Sequence, residues 1–215
     1  KNMGALATSV AYLLDSSAAM DSSFLQALIN YYCQEGYFRH VQTIANEGLK
    51  TFGNDPLFLF YHSYGILMEG RIQEALLSLE SIKNKQEVSL CTMMAMIYAH
   101  KKRPNPDREV IMDLDAKLKE HRKTAGQEAL YFAGLFLWHI GRYEKAREYI
   151  DRMIKISNGS KEGWILKGWL DVTSGKEASI KKAGKCFDEG LQNGNDIFAL
   201  MGKTQYFEAR QNYSG

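Results

Sequence analysis

The stretch Gly141-Arg-Tyr-Glu-Lys-Ala146 has two counterparts earlier in this 215-residue sequence, Gly36-Tyr-Phe-Arg-His-Val41 and Gly70-Arg-Ile-Gln-Glu-Ala75. The glycines of the two earlier stretches lie 34 residues apart, and Gly175 follows Gly141 at the same interval. Between the second and third stretches the interval is 71 residues, which is two such periods plus three residues. Because both the spacing and the residue types recur, the chain is built on an internal repeat of 34 residues.

A 34-residue period is the length of the tetratricopeptide repeat, a helix–turn–helix unit. The flanks of the third stretch fit this unit, because apolar residues at helical spacing come before it (Leu130, Leu137) and after it (Ile150, Ile154). Its glycine lies where one helix must end and the next begin, a turn that favours a residue able to adopt a positive φ. The sequence therefore predicts an all-α fold, a tetratricopeptide-repeat right-handed α-solenoid of antiparallel helix pairs.

The sequence divides into two parts. We interpret residues 1–19 as an upstream or expression-derived segment that forms an amphipathic helix, and residues 20–215 as a repeat array of five repeats plus a truncated sixth. The predicted repeats are 22–55, 56–87, 88–125, 127–160 and 161–194, followed by a half-repeat from 195. Natural solenoids close with a polar cap, so the missing second helix of the sixth repeat predicts a fragment of a longer protein.

Two repeats have irregular turns. In the third, the prolines of Lys101-Lys-Arg-Pro-Asn-Pro106 break the helix, and Asp107 restarts it as an N-cap. In the fifth, residues 174–179 predict a longer turn before the second helix. In the half-repeat, residues 195–211 are predicted to form one more first helix, with residues 212–215 beginning the second.

Small residues recur midway along the predicted helices. Glycine inside a helix costs about 1 kcal/mol relative to alanine, so its repetition indicates a packing requirement. We expect these positions to let neighbouring helices approach closely. They are Ala95, Gly134, Gly168 and Gly202 in first helices, and Ala75, Ala146 and Ala183 in second helices.

Composition excludes several classes of protein. Hydrophobic residues at 45% and charged residues at 24% are typical of a globular chain, and the net charge of +2 is too small to predict nucleic acid or an anionic membrane as a partner. The sequence lacks the 18 consecutive apolar residues of a spanning helix, so direct membrane insertion is not expected. The three cysteines, Cys33, Cys91 and Cys186, are odd in number and widely spaced, which favours a reducing cytoplasmic compartment.

The sequence also lacks patterns for metal binding or catalysis. The five histidines and three cysteines form no paired spacing of the kind that metal sites use, so packing or surface roles are expected for them. Gly202-Lys-Thr204 resembles the end of a phosphate-binding loop, but Ile197 stands where that loop needs glycine. No signature joins a nucleophile to a base. We therefore predict a non-enzymatic protein with no cofactor and no metal.

The inner groove is the predicted binding surface, because first helices line it in this architecture. Stripes of this kind are often plain core, and we expect that of about half of these residues. Exposed apolar and aromatic patches usually mark interaction surfaces, so an amphipathic helix or an extended apolar segment is the expected ligand. The predicted partner-binding residues are Phe60, Tyr64, Leu67, Met96, Tyr131, Leu135, Trp138, Ile165 and Trp169.

A rival hypothesis is a chaperone-type tetratricopeptide-repeat receptor for acidic C-terminal peptides. Such receptors line the groove with Lys, Arg and Asn that grip a carboxylate. Apart from Asn30 and Lys203, the predicted groove lacks these residues.

Several longer strings resemble one family. They are Ile29-Asn-Tyr-Tyr-Cys-Gln34, Pro104-Asn-Pro-Asp-Arg-Glu109, Phe136-Leu-Trp-His-Ile-Gly-Arg142 and Ala146-Arg-Glu-Tyr-Ile-Asp-Arg-Met-Ile-Lys155. From Met20 onward the sequence is similar to the N-terminal array of the tetratricopeptide repeat protein 21 family, the large tetratricopeptide-repeat subunits of intraflagellar transport complex A. The resemblance does not separate the A and B paralogues.

This resemblance implies a scaffold in retrograde ciliary transport and in ciliary entry of membrane cargo. The implied partners are the other subunits of intraflagellar transport complex A and ciliary cargo adaptors, with no nucleic acid. The implied locations are the cytoplasm, the cilium and the ciliary base.

Overall fold

The computed structural model describes residues 21–192 and 194–212, and the predictions made for residues 1–19 and 213–215 lie outside them. These residues form eleven α-helices and no strand. The helices are α1 (Ser22–Glu35), α2 (Phe38–Phe52), α3 (Pro56–Met68), α4 (Ile72–Ile82), α5 (Ser89–Lys102), α6 (Arg108–Thr124), α7 (Gln127–His139), α8 (Tyr143–Ile156), α9 (Lys161–Thr173), α10 (Glu177–Leu191) and α11 (Ile197–Asn212). The all-α prediction is confirmed.

The turns within the helix pairs follow the glycine pattern of the sequence. Gly36, Gly70, Gly141 and Gly175 have φ values of 75°, 84°, 74° and 68°. A side chain is strained in this region of backbone space, whereas glycine adopts it freely. The predicted positive φ is therefore confirmed at all four turns.

The predictions for the two irregular turns have different outcomes. The Asp107 carboxylate accepts hydrogen bonds from the backbone N–H groups of Glu109 and Val110 at 3.1 Å each, which confirms the predicted N-cap. The helix before it ends at Lys102, ahead of the prolines. The longer turn predicted over residues 174–179 is wrong, because α10 already begins at Glu177, whose charge favours the first turn of a helix.

The two kinds of helix contribute differently to the core. In α3, nine of 13 residues are buried, whereas α8 buries only four of 14. First helices such as α3 are enclosed by second helices and by other first helices, while second helices keep one face in solvent. The core therefore runs along the first helices.

The array also closes on itself. Besides its neighbour α2, α1 contacts both α7 and α11, which lie far along the chain. Helices α3, α5, α7, α9 and α11 contact one another in sequence order on the inner side. The concave side of the described array is consequently filled by its own helices.

Close helix approach is confirmed at the three predicted glycines. A Cβ placed on Gly134 would lie 2.5 Å from Ile150 Cδ1, and one on Gly168 would lie 2.7 Å from Phe187 Cε1. A Cβ on Gly202 would also collide with the Phe187 ring, at the same Cε1 and Cζ atoms. Phe187, which is fully buried, therefore packs closely against two glycines, one on α9 and one on α11.

Candidate protein-binding surfaces

The nine predicted groove residues lie in the interior of the array. Eight of them are buried, with exposed fractions of 1–8%, and Tyr131 is partly buried. A groove lining must be open to solvent, and in this conformation these side chains are not. The expectation of an open concave surface is therefore corrected, because the first helices pack against each other across it. A role in binding a partner stays a prediction for all nine.

Four of the five aromatic members of this set form one layer, in which each ring contacts the next directly or through a neighbouring ring. Phe60 and Tyr64 on α3 stack with ring centroids 6.3 Å apart, and both contact the ring of Phe136 on α7 edge-on. Further along, Trp138 lies 5.5 Å from Trp169, measured between ring centroids. Burial of rings in these edge-on and offset geometries stabilises the interior.

The two tryptophans of this layer satisfy their polar atoms internally. The Trp138 indole Nε1–H donates to Thr173 Oγ1 at 2.9 Å. The Trp169 indole Nε1–H donates to the Phe198 carbonyl oxygen at 3.0 Å. Because buried donors without a partner are costly, these bonds hold each ring in the core. Both residues act as parts of the core in this conformation.

A polar network joins the first helix of the array, α1, to α7 in its middle. Asn30 is 3% exposed, and its Oδ1 accepts hydrogen bonds from the Tyr61 hydroxyl at 3.3 Å and from His139 Nε2 at 3.0 Å. The Gln34 amide donates to His139 Nδ1 at 3.0 Å. These partners fit a neutral imidazole with its proton on Nε2. The network therefore stabilises closure with His139 uncharged.

The prediction that His139 has only a packing or surface role was incomplete. The residue lies 109 positions from Asn30 in sequence, and no local pattern relates the two. Asn30, considered as part of a carboxylate clamp, instead uses its side-chain oxygen within the protein. The other clamp candidate, Lys203, forms an ion pair with Asp188 at 2.7 Å.

We expect the free energy of unfolding to fall as pH is lowered from about 7.5 to about 5.5. Burial lowers the pKa of His139, and it also lowers the pKa of His62 and His100. In the unfolded chain these residues take up a proton near pH 6.5. In the folded protein His139 stays neutral over this range, and the lowered pKa values of His62 and His100 act in the same direction. The unfolded state thus binds more protons at the lower pH. His139 alone should lower the free energy of unfolding by about 1 kcal/mol between the two pH values. Chemical denaturation at several pH values measures this.

The His139→Gln variant serves as the control for this pH dependence. Glutamine keeps a hydrogen-bonding side chain but does not titrate, so its stability should depend less steeply on pH between these values. If the free energy of unfolding of this variant falls with pH as steeply as that of the unaltered chain, His139 is not the group responsible. The paired carboxylates do not interfere, because the lowered pKa values of Glu69 and Glu177 place their effect at more acidic pH.

The three cysteines of the chain lie in the interior of the array. Cys33, Cys91 and Cys186 are buried free thiols, and burial raises the pKa of all three. A raised pKa keeps a thiol protonated and unreactive.

Within residues 21–192 and 194–212, no three His, Cys, Asp or Glu side chains cluster in a way that could hold a metal ion. Among the same residues, every helix is too short or too polar to cross a bilayer.

Paired helices, a positive φ at four of the five turns within the pairs and a core along the first helices define a helical-repeat protein. Residues 29–215 match the protein family described as the tetratricopeptide repeat protein 21 N-terminal ARM repeat. The chain belongs to the tetratricopeptide repeat protein 21 family.

Similar sequences from animals carry names of the same family. The chain is 67% identical to human tetratricopeptide repeat protein 21B over 196 residues, and 53% identical to human tetratricopeptide repeat protein 21A over 194 residues. The tetratricopeptide repeat protein 21 homolog of Caenorhabditis elegans is 26% identical over 159 residues. These alignments cover 91%, 90% and 69% of the chain, but only 15%, 15% and 11% of the relatives. The chain therefore spans a small part of the length of the proteins it matches.

Proposed function

We propose that this chain is part of a non-enzymatic scaffold subunit of intraflagellar transport complex A. Its role would be to support retrograde ciliary transport and ciliary entry of membrane cargo through protein–protein contacts. Membership of the tetratricopeptide repeat protein 21 family supports this proposal. The link to the complex comes from the resemblance of the sequence strings to its large subunit, which implies the transport role. The proposed partners are the other subunits and ciliary cargo adaptors, in the cytoplasm, the cilium and the ciliary base.

The closed interior supports a mechanism based on shape. Repeat arrays bind partners over extended surfaces that their curvature creates. Here the contacts of α1 with α7 and α11 hold that curvature, so the outer faces are presented at fixed positions. A scaffold needs such a defined surface, since flexible surfaces lose binding free energy when they become ordered.

Binding through the nine interior residues would require α1 to leave α7. Opening would expose Tyr64, whose hydroxyl is buried and has no hydrogen-bond partner in the described structure. It would also break the bonds of His139 to Asn30 and Gln34. We retain this as a second binding mode, in which an amphipathic helix of a partner replaces α1. The carboxylate-clamp function is disfavoured, because Asn30 and Lys203 are both engaged within the protein.

We expect the tagged chain to recover other subunits of intraflagellar transport complex A from ciliated cells. An unrelated tetratricopeptide-repeat array of similar length is the control, because it shares the fold but not the family surface. Chemical cross-linking followed by mass spectrometry then locates the partners on the inner or the outer face. Equal recovery of the subunits by both arrays would contradict the proposal.

A further inference from the structure

A surface groove runs between α8 and α10, with α9 as its floor. Both second helices pack on α9, and the space between them has a volume of about 760 Å³. Binding clefts typically measure about 300–1,000 Å³. The floor presents Trp164, Lys167 and Asp171, which share one face of α9 because their spacing follows the helical turn.

The groove is rich in positive charge. Six basic side chains line it, against three carboxylates. The basic residues are Arg147, Lys167, Lys176, Lys181, Lys182 and Lys185, and the acidic ones are Glu144, Asp151 and Asp171. Such a local excess stands out in a chain whose net charge is only +2.

The carboxylates of the groove are already paired. Asp171 is 4% exposed, and its Oδ1 accepts from the Arg147 guanidinium at 2.6 Å. Asp151 accepts from the Lys167 ammonium at 2.7 Å, and Glu144 lies 3.3 Å from the Lys176 ammonium. Each of the three acidic groups therefore neutralises one base of the groove.

Positive charge remains on the α10 side. Lys182 and Lys185 are exposed and form no ion pair with any carboxylate of residues 21–192 and 194–212. They are three residues apart, so they are neighbours on the helix surface. Lys181 pairs only with Glu177 on its own helix, at 2.6 Å. Like charges placed together are unfavourable without a counter-charge, which a partner would supply.

An aromatic side chain lies beside these charges. Trp164 is partly buried, and the Lys167 ammonium lies 5.5 Å from the centroid of its ring. Trp next to basic residues is typical of protein-binding hot spots, where the ring supplies apolar contact and the charges set orientation. The groove thus offers both kinds of contact to an extended segment.

We infer that the groove between α8 and α10 binds a carboxylate-rich segment of a partner protein. Glu and Asp side chains of that segment pair with Lys182 and Lys185, and its backbone lies along the floor over Trp164. This surface lies outside the closed interior, so binding needs no opening of the array. The inference is independent of membership in the transport complex, because it depends only on the groove.

The test uses the 215-residue chain and a fluorescein-labelled octaglutamate peptide, with fluorescence anisotropy as the readout. We expect saturable binding that weakens as salt is raised, because ions screen exposed charges. The Lys182→Gln/Lys185→Gln variant should bind about tenfold more weakly, since two attractions between opposite charges are lost. A peptide that carries a photoreactive group should cross-link to α8, α9 or α10.

The matched control is Lys117→Gln/Lys119→Gln, which removes the same charge from exposed positions on α6. It should change the affinity less than about twofold, since α6 does not line the groove. Thermal unfolding of both variants checks that each is folded. The inference is overturned if the peptide does not bind, if both variants weaken binding equally, or if cross-links fall elsewhere. Tighter binding of a single-stranded RNA or of anionic lipid vesicles would also overturn it, because the groove would then serve another class of partner.

Discussion

The Trp138→Ala variant is expected to lose about 3–5 kcal/mol of its free energy of unfolding, the usual cost of truncating a core tryptophan. Trp138 is 1% exposed, contacts the rings of Trp169 and Phe198, and donates a hydrogen bond to Thr173. Its removal leaves a cavity and an acceptor that has lost its donor. Urea or guanidinium denaturation followed by circular dichroism measures the loss.

Trp164→Ala is the matched control for this prediction, because Trp164 is only partly buried on the outer side of α9. Its truncation should cost about 1 kcal/mol or less, as is usual for side chains away from the core. If the two variants unfold at the same denaturant concentration, Trp138 is not a core residue. Loss of partner recovery by Trp138→Ala without loss of stability would instead favour an interior binding surface.

Gly168→Ala should destabilise the protein by about 1–3 kcal/mol, although alanine favours a helix more than glycine does. The added Cβ would lie 2.7 Å from the Phe187 ring. The ring is fully buried and also packs against Gly202 on the next helix, so we expect it to have little space into which to move. The overpacking should therefore exceed the gain in helix propensity. Thermal and chemical unfolding of the variant measure the net effect.

Gly134→Ala is the control for overpacking. Its Cβ would meet the terminal methyl group of Ile150, which can rotate away more easily than a pinned ring. We expect a smaller loss than at Gly168. Combining Gly168→Ala with Phe187→Leu should cost less than the sum of the two single changes, because the shorter side chain relieves the collision. Strict additivity would contradict the proposed packing of Phe187.

Local features of the fold were predictable from the sequence, because each depends on residues close together in the chain. The turn at Gly141 needs a positive φ, and Asp107 caps the helix that it precedes. The 34-residue period predicted helix pairs for the same reason. The missed start of α10 at Glu177 also has a local cause, since a favourable acidic first turn was overlooked.

Closure of the concave side was not predictable in this way. It depends on the small rotation between successive repeats, which accumulates over the whole array. His139 and Asn30 meet only because those rotations bring α7 back to α1. The same curvature buries Trp138, which was predicted to line an open groove. The basic groove was missed because its residues come from three helices.

The central claim is that the concave side is a closed core, and tryptophan fluorescence tests it most directly. The chain contains three tryptophans, so the Trp164→Phe variant retains only Trp138 and Trp169 as emitters. Their exposed fractions of 1% and 8% predict blue-shifted emission that acrylamide and iodide quench weakly. Emission near that of free tryptophan, with strong quenching by both agents, would show an open groove and contradict the account.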